Sequence, residues 1–198
     1  SGGPSFSAGW DLDSFGSEPA DALAGDVFGC LATLPQPVIA AVEGDATGGG
    51  LALALAADIR VAAENSAFAL PEIESGLIPL AGSIQRLVRL IGRGSALSLI
   101  LTGEPIDAPT ALRIGLVSEV TPAGTTLDRA QEIAEQIAKR GPIAVRYAKE
   151  AISRGAEMPL EQALRFETDL TLLLQTTKDR AEGVRGFIEK REPEFKGE

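Results

Sequence analysis

Glu72 follows Pro71 and stands among Leu70, Ile73, Leu77 and Ile78 in the stretch ALPEIESGLIPLAGSIQRL. Proline restricts its own backbone angle, and a carboxylate in apolar surroundings is the setting that general acid–base chemistry uses. A solvated or ion-paired side chain is the alternative for any single glutamate. A second candidate lies upstream, where Gly48, Gly49 and Gly50 directly precede LALALAA. A helix beginning there leaves its first N–H groups without intrahelical partners and turns its positive dipole end outward. Glycine removes the Cβ that would hold a ligand off the backbone, so the run can serve as an anion or oxyanion site. The same residues also suit a tight strand-to-helix turn, and they match neither phosphate-loop pattern. The third stretch, SFSAGWDLDSF, reads as a shaped loop or a simple turn, with small residues ahead of Ala8 and Gly9 and an aspartate behind them.

Composition narrows the chemistry these residues can do. There is no histidine, which removes Ser-His-Asp and Cys-His catalysis and disfavours a transition-metal site; no metal is expected. Proton transfer then falls to carboxylates, lysines, the one tyrosine or the backbone. The single cysteine, Cys30, excludes an intramolecular disulfide and suits a reducing, cytoplasmic setting. Its place in an apolar helical stripe predicts a small buried hydrophobe rather than a nucleophile. A net charge of −10 argues against nucleic acid and against an anionic membrane surface as partners. No segment reaches the roughly 18–20 apolar residues that cross a bilayer. With 198 residues, 44% of them hydrophobic, the chain fits one domain, or one with a helical appendage.

The elements that must position these residues follow from periodicity and punctuation. Residues 17–34 predict a helix capped by Ser17, with Leu23, Val27, Leu31 and Leu34 as its stripe and Pro35 and Pro37 ending it. VIAAVE (38–43) predicts a short buried strand, LALALAA a short apolar helix, DIRVAAE another strand, and SAFALPE an extended piece ending in a proline turn. From residue 82 the pattern is mostly helical: SIQRLVRLIG closed by a glycine cap, then SALSLILTG and APTALRIG, with LVSEV (116–120) as a brief strand. Helices are expected over 126–140, 143–154 and 158–175, with a last one starting near Asp179.

Taken in order, the three stretches resemble the enoyl-CoA hydratase/isomerase (crotonase) family. IAAVEGDATGGGLALALAADI (39–59) is similar to its signature, SFSAGWDLDSF to its F-x-A-G-x-D-L loop, and FALPEIESGLIPLAGSIQRL to its F-x-x-P-E-x-x-x-G-x-x-P-x-x-G stretch. TKDRAEGVRGFIEKREPEFKG is similar to its C-terminal helix. The resemblance runs from about residue 5 to the end.

It implies an α/β fold, a crotonase-like spiral of ββα repeats with a C-terminal helical region, here without the family's first strands and helix. The core would span 1–122, and 123–198 would be helical and oligomerising, in a homotrimer or homohexamer. The substrate it implies is an acyl-CoA thioester, with no separate cofactor because CoA is part of the substrate. Two backbone N–H groups, of Trp10 and Gly49, would hold the thioester oxygen, with Glu72 as the proton-transfer group. Ser7, Ala8, Trp10, Asp11 and Leu12 would line the CoA, with Phe187 and Lys190 near its far end; a solvated helix face is the other account of Lys190. The Trp10 indole would wall the acyl pocket, rest on the adenine side, or act as a hydrophobic lid.

The chain also departs from the family. Its hydratases carry a second glutamate two residues after the glycines, where this sequence has Ala52, and other members carry an aspartate where it has Leu80. Family membership implies a hydratase. A single carboxylate is sufficient for moving a double bond and so favours a Δ3,Δ2-enoyl-CoA isomerase. A non-catalytic acyl-CoA-binding protein and a hydrolase or decarboxylase of the same family are the further alternatives.

Overall fold

The computed structural model describes residues 5–9 and 27–198. Two compact units divide at Gln131 and Glu132: Val38–Gln131 belongs to the first with the described residues before Pro35, and Glu132–Glu198 to the second with Pro35–Pro37.

The first unit contains two small sheets. In one, β1 (Ile39–Val42), β3 (Ile59–Ala63) and β6 (Glu119–Thr121) run parallel in the order β1-β3-β6, with Val42 opposite Ala62 and Ala62 opposite Val120. β1 and β3 are apolar but for Arg60, as parallel strands covered on both faces require, whereas β6 is Glu-Val-Thr. In the other, β2 (Ala46–Thr47) pairs parallel with β4 (Ala67–Ala69), which pairs antiparallel with β5 (Ile106–Asp107). Ser7 adds a parallel bridge to Ala46.

Helix α2 (Gly49–Ala56) connects β2 to β3. It is too short to stand alone in water and is held by burial of Leu51, Ala52, Ala54, Leu55 and Ala56. Leu51 and Ala54 join Val42, Phe68, Leu70 and Leu87 in one core cluster. Helix α3 (Ser83–Thr102) unites the two helices expected there, and Gly92, at φ 77° and ψ 163°, breaks it where the cap was predicted. Helix α4 (Ala108–Arg113) is capped by the Asp107 carboxylate, which accepts from the Thr110 N–H at 2.9 Å.

The first helix is a correction. Its described part, α1, is Val27–Thr33, and it buries no residue; the predicted turns over 17–26 lie outside the described residues. Cys30 is exposed, not buried. Of the predicted stripe, Val27 and Leu34 are exposed and Leu31 is half-buried, so the described part of that stripe is not a buried face.

The second unit is helical. Helix α5 (Thr126–Ala138) straddles the division, and α6 (Pro142–Gly155), α7 (Leu160–Gln175) and α8 (Lys178–Glu189) follow. The chain after α8 returns to that helix's start, where the buried Asp179 carboxylate accepts the N–H groups of Lys196 and Gly197, each at 2.8 Å. Among the described residues no helix is long and apolar enough to cross a membrane.

Candidate functional site

The glycine run is a strand-to-helix turn and an open helix N-terminus at once. Gly48 adopts φ 52° and ψ −116°, a conformation reserved in practice for glycine, and its N–H donates to the Ala69 carbonyl of β4 at 2.9 Å. The first helical bond of α2 runs from the Ala52 N–H to the Gly48 carbonyl, also at 2.9 Å. The N–H groups of Gly49, Gly50 and Leu51 therefore meet no acceptor among the described residues. Gly50 and Leu51 are buried and Gly49 is half-buried, so of the three residues only Gly49 is partly open. With the dipole of α2 behind it, the Gly49 N–H suits an oxygen carrying negative charge.

The loop beside this turn is anchored by backbone pairing. Ser7 donates its N–H to the Asp45 carbonyl at 2.9 Å and accepts the Thr47 N–H on its own carbonyl at 3.1 Å. Its hydroxyl accepts the Gly9 N–H at 3.3 Å. Gly9 holds φ 102°, and a Cβ there would meet the Thr47 carbonyl oxygen at 3.1 Å. Of the pair expected to contact a ligand, Ser7 has both backbone polar groups engaged in the fold, and Ala8 is exposed. Trp10, Asp11 and Leu12 lie outside the described residues.

Glu72 belongs to a 3-10 turn, Pro71–Ser75, that directly follows β4 and Leu70. Gly76, in the left-handed conformation at φ 71°, closes the turn, and the Leu77 N–H donates to the Glu72 carbonyl at 3.0 Å. Ala69, the acceptor for Gly48, and Glu72 are separated only by Leu70 and Pro71, so one short stretch anchors the glycine turn and carries the carboxylate. Glu72 is 8% exposed. Both of its carboxylate oxygens are buried and unpartnered among the described residues, which is rare for a buried polar group and points to a role other than stability. Its expected apolar neighbours differ in part: Leu70 is fully buried, while Leu77 and Ile78 are exposed.

Ala52 is 1% exposed on α2, so the missing second carboxylate is replaced by a packed methyl group. Phe187 and Lys190 lie in the second unit: Phe187 is 86% exposed on α8, and Lys190 caps that helix at φ 54°. Among the described residues no three His, Cys, Asp or Glu side chains are grouped as a metal site requires. One residue the sequence did not single out is Arg60, a cation 6% exposed within β3; its only signal was a charge inside an otherwise apolar strand.

The enoyl-CoA hydratase/isomerase family model matches residues 1–198. The chain is 41% identical over 196 residues to 2,3-dehydroadipyl-CoA hydratase of Escherichia coli (strain K12), covering 97% of this chain and 77% of that protein. It is 43% identical over 172 residues to short-chain-enoyl-CoA hydratase of Clostridium acetobutylicum, covering 87% of this chain and 66% of that protein. Among solved structures, enoyl-CoA hydratase from Bacillus anthracis superposes with a TM-score of 0.94 at 45% identity, covering 100% of this chain and 79% of that one. Enoyl-CoA hydratase from Mycobacterium tuberculosis H37Rv does so at 0.92 and 37%, with the same coverages of 100% and 79%.

Proposed function

The chain belongs to the enoyl-CoA hydratase/isomerase family and has its crotonase fold, and on that premise we propose that it acts on an enoyl-CoA thioester, most simply as a hydratase. The observation that carries this reading is the buried Glu72 carboxylate, unpartnered among the described residues and held on the same short stretch that anchors the open N-terminus of α2.

In this mechanism the Gly49 N–H, with the Trp10 N–H as its counterpart in the family's loop, donates to the thioester oxygen. As charge moves onto that oxygen in the enolate, both bonds strengthen without any rearrangement of protein groups. Loss of one such donor typically lowers the rate about 10²–10³-fold. In hydration, Glu72 takes a proton from water as the water oxygen bonds to C3, and the proton is returned to C2. The hydratase names of the relatives support this direction.

Ala52 favours a second reading, isomerisation. Glu72 would remove a proton from C2 of a 3-enoyl thioester. The electron pair would delocalise onto the oxygen held by the two N–H groups, and the proton would return at C4 as the double bond settles between C2 and C3. One carboxylate suffices for this, whereas hydration gains from a second group to hold the water.

Incubation with a 2-enoyl-CoA and, separately, a 3-enoyl-CoA separates these readings. Water addition to the first supports the hydratase, and migration of the double bond in the second without hydration supports the isomerase. Binding without either reaction supports a non-catalytic acyl-CoA-binding protein, and full activity in Glu72→Gln excludes Glu72 as the proton-transfer group.

A further inference from the structure

Arg60 places a cation in a strand of the first unit that is otherwise apolar, at 6% exposure. Its Nε donates to the Leu116 carbonyl at 2.8 Å, and its Nη1 donates to the Ala57 carbonyl at 2.7 Å and the Ala54 carbonyl at 3.4 Å. Ala54 lies in α2, and Ala57 is the residue that caps it. The backbone at Arg60 is fastened as well: the residue pairs with Ala40 of β1, and its carbonyl accepts the Ser118 N–H at 2.9 Å. One guanidinium thus joins the carbonyl end of α2 to the segment that enters β6, from a strand fixed on both sides. Two acceptor directions on two elements match the planar fork of arginine, which the single ammonium of lysine cannot reproduce.

Burying a cation is costly unless its hydrogen bonds are made, so its placement here calls for a reason. α2 is only eight residues long. Its leading N–H groups have no acceptor among the described residues, so they contribute nothing to holding the helix in place. Burial holds it in the core, and among the described residues the polar restraints along its own axis are the Gly48 bond to Ala69 in front and the Arg60 grip behind. The guanidinium also meets the negative end of the helix dipole.

We propose that Arg60 is a positioning residue for the reaction: by gripping the carbonyl end of α2, it sets where the Gly49 N–H stands relative to the thioester oxygen. This rests on the assignment of Gly49 as the oxyanion donor.

The test reads the bond itself. A 2-enoyl-CoA labelled with carbon-13 at its thioester carbonyl is bound to Glu72→Gln protein, in which it persists, and the carbonyl stretch is compared with that in solution. A lowered frequency is expected with Arg60 in place. Arg60→Met and Arg60→Lys are then made in the same background; both are expected to bind with affinity within about twofold while losing about half of the frequency shift, the Trp10 N–H being untouched. With Glu72 intact, both are expected to lose about tenfold in kcat, the scale of a small misplacement of reacting groups. A merely structural arginine would lower the melting temperature and leave the frequency unchanged. Wild-type polarisation in either variant overturns the proposal. Should Arg60→Met fail to fold, Arg60→Lys, which keeps charge and reach, decides alone. Absence of any shift with Arg60 present refutes the Gly49 assignment instead, and the proposal falls with it.

Discussion

The Ser7 and Gly50 backbones press together so closely that a Cβ on Gly50 would stand 2.5 Å from the Ser7 Cβ and 3.0 Å from the Ser7 carbonyl oxygen. Ser7 cannot yield easily, since Asp45 and Thr47 hold its N–H and carbonyl. Gly50→Ala is therefore expected to cost about 1–3 kcal/mol, the usual range for overpacking, and to push the 5–9 loop away from the Gly49 donor. Urea unfolding together with KM for an enoyl-CoA checks both effects. Ser7→Gly added to Gly50→Ala should recover part of the stability, because it removes the nearest of the clashing atoms.

Glu72→Gln exchanges a buried carboxylate, unpartnered among the described residues, for a neutral amide of nearly the same shape. Turnover is expected to fall about 10²–10⁴-fold, the usual range for loss of a general acid–base group, while thermal stability is retained or raised. Activity and melting temperature moving in opposite directions would be the mark of a group kept for function at the expense of stability. A variant that is both inactive and strongly destabilised would instead place Glu72 among the structural residues.

Ala52→Glu returns a carboxylate to the position where the family's hydratases have one. At a site 1% exposed the larger side chain should cost about 1–3 kcal/mol. The ratio of hydration to double-bond migration is nevertheless expected to rise by at least about tenfold, because a second group can then hold the water. Product ratios from matched 2-enoyl-CoA and 3-enoyl-CoA incubations measure this directly.

The C-terminal return of the chain has a pH dependence set by Glu182. Its carboxyl is brought down from 4.5 to about 2, chiefly by hydrogen bonds from Arg191 and also by the Glu194 N–H. A folded value below the unfolded one means that the contribution is complete above 4.5 and disappears as pH falls towards 2. Limited proteolysis should leave residues 191–198 protected at pH 5 and cut them as pH approaches 2. Arg191→Ala should make them susceptible at neutral pH. High salt should weaken the protection too, because these charges are on the surface.

The main helices and longer strands were legible in the sequence. The start of α2 beside the glycines, the turn at Pro71, the break at Gly92 and the order of α5 to α8 all follow from short-range rules: dihedral restriction, capping and apolar spacing. The two-residue strands β2 and β5 were not, because a strand that short has no periodicity and exists only through its partner. The exposure of Cys30 was hidden for a related reason. An apolar stripe states which face a helix would bury, and whether anything covers that face depends on chain remote in sequence.

At the candidate site the division is similar. Sequence alone determined the residue types: a glycine run able to open a helix N-terminus, one carboxylate behind a proline, and an alanine at the position of the second glutamate. Tertiary structure decided what those types amount to. Pairing of β4 with β2 brings Ala69 to Gly48 and so ties the Glu72 stretch to the glycine turn. Among the described residues packing leaves both Glu72 oxygens without partners, and it places Arg60 against carbonyls of α2 and Leu116. Burial and hydrogen-bond partnership are properties of surroundings assembled from distant parts of the chain, so no local pattern of residues could specify them.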